Sequence, residues 1–133
     1  MEVEEAARRW AATWEAGWSN HEADAIAALY AEGARFRSAP DREPKVGPPG
    51  VREYCEWAFA DEVSAQCWFR QPLTSGDRAA GPWWAISTDR SGRIVTLVGV
   101  SRLRFDSDGL VSDQHDVWME LQGRQEPFEG WDT

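Results

Sequence analysis

The sequence predicts an α+β fold: a cone-shaped single domain with N-terminal helices packed on a curved antiparallel β-sheet around an internal cavity. Three observations carry this. Trp10, Trp14 and Trp18 recur at every fourth position of an Ala-rich, Pro-free stretch, which makes one stripe of a helix. From Trp83 to Trp118 the pattern changes to strands separated by short turns. Helices therefore come first and hairpin-joined strands follow, the order of an α+β domain.

The first helix runs from Glu2 to Trp18, with Glu2, Glu4 and Glu5 at the positive end of its dipole. Ser19-Asn20-His21 breaks it. A second helix is expected from about Glu22 to Ala31, with Ile26, Leu29 and Tyr30 inward, and Gly33 ends it. Arg35 to Ser38 reads as a short strand. Ala39 to Gly50 holds four prolines and two glycines, so it reads as a loop long enough to form a mobile rim. A third helix spans Val51 to Asp61, with Val51, Tyr54, Cys55, Ala58 and Phe59 on one face.

Ala65 to Arg70 reads as a strand and Pro72 to Asp77 as a turn. Three strands follow: Trp83 to Thr88, Ile94 to Phe105 and Leu110 to Leu121. The turns between them are Asp89 to Gly92 and Asp106 to Gly109, where Gly109 tolerates positive φ. Residues 1–133 form one domain, with about 122–133 a peripheral tail rich in Gly, Pro and acids.

Composition excludes several classes. A formal charge of −9 opposes nucleic acid, and Arg8-Arg9, Arg102 and Arg104 are too few for a basic patch. No stretch approaches ~20 uninterrupted apolar residues, so no membrane span is expected. The acidic N-terminus lacks a secretory pattern, which points to the cytoplasm. Cys55 and Cys67 form no CxxC, and with only two histidines no metal site is expected. They read as buried thiols of a reducing compartment. There is no nucleophile elbow, phosphate loop or dinucleotide fingerprint, and Gly47-Pro-Pro-Gly50 is a turn, so no cofactor is expected. Nine tryptophans imply a thick aromatic core, a cavity walled by rings, or both.

The candidate site centres on the last strand. Alternation puts Ser112, Gln114, Asp116 and Trp118 on one face, and Asp113, His115 and Val117 on the other. Asp116 is thus aimed at the cavity. A carboxyl walled by Trp has its charged form disfavoured, which suits proton transfer near neutral pH. The other reading is structural: an Asp tied to indole N–H groups or an arginine. Trp10 and Trp14 face the cavity from the first helix, and local pattern adds Trp57, Trp68 and Trp84. His115 falls on the outer face beside Arg102 and Arg104, and His21 sits at the helix junction as a cap or surface group.

Four segments carry a resemblance: Trp14 with Gly17, Ala28 to Phe36, Gly47 to Tyr54, and Gly99 to Gly109 followed by a strand ending in Trp118. In their order and spacing the chain resembles the nuclear-transport-factor-2-like superfamily, nearest its SnoaL-like branch, over roughly Ala6 to Trp118. The resemblance implies the cone fold but no one activity, because the superfamily mixes isomerases, cyclases, dehydratases, epoxide hydrolases and binders. SnoaL-like polyketide cyclases use an Asp of the last strand as general acid/base, which implies that role for Asp116.

Matched to ketosteroid isomerases, Ser38 stands for the base, Ser101 for the oxyanion Asp and Trp10 for the Tyr. None of these can supply the missing chemistry, so steroid isomerisation by that mechanism is rejected. An Asp-Arg-Asp epoxide relay is disfavoured too, since Asp116 alone is clearly available. The resemblance adds Ser38 and Ser101 to the cavity wall, and a homodimer through the outer face that holds Arg102, Arg104 and His115. Two functions stay open. One is a cofactor-free cyclase, isomerase or dehydratase acting on an apolar, ring-containing, carbonyl-bearing small molecule. The other is a non-catalytic small-molecule-binding or dimeric interaction domain.

Overall fold

The structure, a computed structural model, describes Met1–Thr133. Helix α1 spans Val3–Ser19 and buries Ala6, Ala7, Trp10, Ala11, Trp14 and Gly17, the stripe its spacing predicts. The second helix is shorter than expected: α2 is only Ala23–Ala27. Leu29 and Tyr30 leave it for the sheet, where Val111 N–H donates to Leu29 O at 2.9 Å and Tyr30 pairs with Val111. Sheet pairing here overrides helix propensity.

Strand β1 is Tyr30–Arg37 and β2 is Lys45–Val46. Helix α3 spans Gly47–Ala60, so it begins inside the segment expected to be loop. Its prolines occupy the first turn, where no N–H partner is needed, and the composition that reads as a loop is in fact a helix start. The remaining strands are β3 Glu62–Phe69, β4 Leu73–Ser75, β5 Arg78–Asp89, β6 Ile94–Phe105 and β7 Val111–Gln122.

All seven strands form one sheet in the order β2-β1-β7-β6-β5-β3, with β4 added beside β5. Every pairing is antiparallel except β1 with β7, which is parallel. The helices cover the inner face of this curled sheet. Between them lie Trp10, Trp14, Phe36, Phe69 and Trp83, stacked or edge-on at ring separations of 5.5 to 6.3 Å. No helix is long and apolar enough to cross a membrane.

Strand register decides which side chains look inward. Gly99 is opposite both Trp83 and Trp118. A Cβ there would fall 2.5 Å from Trp83 Cζ2 and 2.7 Å from Trp118 Cβ, so only glycine lets the two indoles share this spot. The same parity turns Trp84 outward. It is buried on the convex side by the tail, edge-on to Phe128 and Trp131, with its Nε1 donating to Gln125 O at 2.8 Å.

Candidate functional site

A cavity of about 360 Å³ opens between the sheet and α1 and α3. That is near the small end of the roughly 300–1,000 Å³ typical of small-molecule sites. From the sequence-predicted set, Trp14, Ser38, Trp57, Ser101, Gln114, Asp116 and Trp118 line it. Trp57 does so from an exposed rim position.

Three predicted wall residues lie elsewhere. Trp10 is behind the wall, fully buried, and backs the lining through its bond to Gln114 and its edge contact with Phe69. Trp84 faces the convex side, and Trp68 pairs directly with it and so shares that side. Each adjacent aromatic faces inward instead: Trp83 beside Trp84, and Phe69 beside Trp68. Sequence reasoning left out Trp18, Arg42, Phe69, Trp83 and Glu62, and it read Tyr54 only as inward on its helix.

Asp116 forms the floor, and two donors hold it. Ser101 Oγ donates to Oδ1 at 2.6 Å and Gln114 Nε2 donates to the same oxygen at 2.9 Å. Both directions are fixed from behind. Trp83 Nε1 donates to Ser101 Oγ at 3.0 Å, and an indole N–H can only donate, so the serine proton must go to Asp116. Trp10 Nε1 donates to Gln114 Oε1 at 3.1 Å and the Tyr30 hydroxyl donates to it as well, so the amide must turn its NH₂ toward Asp116. Trp14 Nε1 completes the chain by donating to Tyr30 Oη at 3.0 Å.

Oδ1 is thereby committed as an acceptor. A proton on Asp116 has to sit on Oδ2, which is open to the cavity: the chain's one enclosed, unpartnered polar side-chain atom is Arg9 Nε. Burial pushes the Asp116 carboxyl up to about 7, and the bonds from Ser101 and Gln114 pull in the opposite direction. Burial, with the Asp116 charge nearby, likewise raises Tyr54 to about 12 and Tyr30 well above its ordinary value, so both phenols stay protonated.

Glu62, at the start of β3, is another carboxyl on the cavity wall. It accepts from Trp18 Nε1 at 3.2 Å and Ser87 Oγ at 2.5 Å, and pairs with His21 Nε2 at 2.8 Å. His21 adopts φ +55° and stacks on Phe59 with ring centroids 4.5 Å apart, so it is more than a cap. No group of three or more His, Cys, Asp or Glu side chains is clustered as a metal site.

The model of the SnoaL-like domain family matches residues 7–114. The chain belongs to the SnoaL-like domain family. No curated protein matches it in sequence. Among solved structures, this SnoaL-like domain is similar to the epoxide hydrolase/cyclase-like enzyme SalBIII of pyran ring formation in the polyether salinomycin. The TM-score is 0.75 and the identity 17%, covering 90% of this chain and 95% of that one.

It is also similar to an NTF2-like protein from Exiguobacterium sp. 255-15, with a TM-score of 0.71 at 16% identity over 86% of this chain and 98% of that one. A candidate SnoaL-like polyketide cyclase from Shewanella denitrificans OS-217 gives a TM-score of 0.70 at 12% identity, over 85% and 90%. At these identities the likeness establishes the fold: an NTF2-like α+β domain with helices on a curled, antiparallel-rich sheet.

Proposed function

We propose that this SnoaL-like domain binds an apolar, ring-containing small molecule that carries a carbonyl, and that Asp116 moves a proton on it without a cofactor. The reaction class is that of a cyclase, isomerase or dehydratase. One observation carries the reading: Asp116 spends one oxygen on two fixed donors and turns the other to a cavity, where burial pushes its carboxyl up to about 7. Such a carboxyl is populated as base and as acid near neutrality, so one group can take a proton and return it. In the first step the C–H bond next to the carbonyl breaks, an O–H bond forms at Oδ2, and the electron pair moves to the carbonyl oxygen. The similarity to SalBIII and to a candidate polyketide cyclase supports this class of chemistry.

The test is hydrogen–deuterium exchange next to the carbonyl, followed by NMR over a panel of cyclic ketones, with Asp116→Asn as the control. Exchange in wild type that D116N loses while still binding the ketone supports catalysis. Ketones that bind wild type without exchange establish the alternative, a non-catalytic binding domain.

We also propose a homodimer through the convex face. Val100 pairs with Val117 and Val98 with Met119 on that side, and Val100, Val117 and Met119 are exposed. Arg102 and His115 are cross-strand partners beside them. Val117→Glu should then shift the mass seen by light scattering from two chains to one; a wild type that is monomeric at micromolar concentration counts against it. The two free thiols, Cys55 and Cys67, support a reducing compartment such as the cytoplasm.

A further inference from the structure

Arg42 is the one cationic side chain on the cavity wall, and it lies against two indoles. Its guanidinium carbon is 5.5 Å from the ring centroid of Trp57 and 5.5 Å from that of Trp118. The loop is tied down around it: Nη1 donates to Ser38 Oγ at 3.1 Å, its backbone N–H donates to Ala39 O at 3.1 Å, and its carbonyl accepts from Arg37 Nη1 at 2.6 Å. None of the chain's ion pairs includes Arg42. A guanidinium has five N–H donors, and no Arg42 nitrogen is an enclosed orphan, so its unused edge is open.

This is how a protein holds an arginine ready for an oxygen anion: aromatic rings beside the guanidinium, charge uncompensated, donor edge free. The position relative to Asp116 is equally informative. Trp118, which Arg42 covers, is two residues from Asp116 on the same strand face, a step of about 7 Å. Tyr54 lies within electrostatic reach of both, its hydroxyl pushed up by the Asp116 charge and down by Arg42. The cavity therefore has a proton-handling carboxyl and a receptor for negative charge about one ring system apart.

We propose that Arg42 selects ligands bearing an anionic oxygen group, so that the ligand of this cavity is an acidic ring compound with its charge at the Arg42 end and its reacting carbon at Asp116. The inference rests on the reading of the cavity as a small-molecule site and names the class of molecule that enters it.

The experiment compares 2-naphthoate with its neutral isostere 2-naphthamide by tryptophan quenching and calorimetry at about pH 6, where the acid is ionised. Wild type should bind the acid about tenfold or more tighter than the amide. Arg42→Gln should erase that ratio by weakening the acid while leaving the amide bound. Arg42→Lys keeps the charge and should retain part of the ratio; its complete loss there counts against the inference. Equal binding of acid and amide by wild type, or a ratio that survives R42Q, overturns the role of Arg42 and leaves the cavity reading standing. Failure of both probes, and of other neutral ring compounds, to bind wild type overturns the two together.

Discussion

Trp83 Nε1 donates to Ser101 Oγ at 3.0 Å, and this contact decides where the one proton of that hydroxyl goes. With the indole as donor, Ser101 must act as donor to Asp116, at 2.6 Å. An aromatic side chain one hydrogen bond removed from the carboxylate thus stabilises its charged form. Ser101→Ala removes that donor and leaves the Trp83 N–H unpaired. The Asp116 carboxyl should then titrate above about 7, by roughly one further unit, and the protein should lose about 1–3 kcal/mol. Carbon-detected NMR titration of the carboxyl reads the first and denaturant unfolding the second. An unchanged or lowered Asp116 pKa would show that the bond does not act on the carboxylate.

Asp116 also makes folding pH-dependent, in the direction opposite to a paired carboxylate. Burial raises it from 3.8 to about 7, so between those values the folded chain holds a proton that the unfolded chain has released. Stability must then fall as pH rises from about 4 to about 7 and level off above, by at most a few kcal/mol. Asp116→Asn keeps Oδ1 as acceptor for both donors and carries no charge. The variant should therefore be more stable than wild type at about pH 8 and close to it at about pH 4. Paired melts at the two pH values decide this; D116N less stable than wild type at the higher pH would contradict the burial argument.

Gly99 opens the room that the cavity needs. Adding one methyl drives it to 2.5 Å from Trp83 Cζ2, and the indole is pinned by its bond to Ser101. Gly99→Ala should cost about 1–3 kcal/mol through overpacking and lower the affinity for ring compounds, because Trp83 or Trp118 must move. Thermal unfolding together with naphthoate titration reads both effects. An alanine variant as stable as wild type, with unchanged binding, would mean that the two rings give way freely.

Legibility from sequence follows the strength of the local pattern. The sixth strand, Ile94–Phe105, is found at the residues expected, because turn residues bracket a long apolar run. Alternation from Gln114 onward aims Asp116 and Trp118 inward, but a bulge opposite Arg104 and Phe105 breaks the parity nearer the turn: Val111 enters the core, and Ser112, expected on the inner face, bonds to Arg104 O instead. In the pairs Trp83-Trp84 and Trp68-Phe69 a one-residue choice flips the face. The register of Gly99 against Trp83 would have resolved the first pair, but that pairing is a long-range contact that no single segment announces. Arg42 lies in a proline-rich loop without periodicity. Glu62 sits between a helix expected to end at Asp61 and a strand expected to start at Ala65.

Glu62 offers a test that depends on donor counting. Trp18 can only donate, Ser87 Oγ approaches Oε2 at 2.5 Å, and His21 Nε2 meets Oε1 at 2.8 Å. Glu62→Ala strips all three of their partner and leaves the side chain of His21, a residue at positive φ, held only by its stacking on Phe59. A loss of about 2 kcal/mol or more is expected. Glu62→Gln should cost distinctly less. Its carbonyl can still accept from Trp18 and Ser87, and its NH₂ can turn to His21, whose ring nitrogen accepts when the other nitrogen holds the proton. Denaturant midpoints of the two variants give the ordering. If E62Q is as damaging as E62A, the cluster depends on the charge of Glu62 rather than on its acceptors.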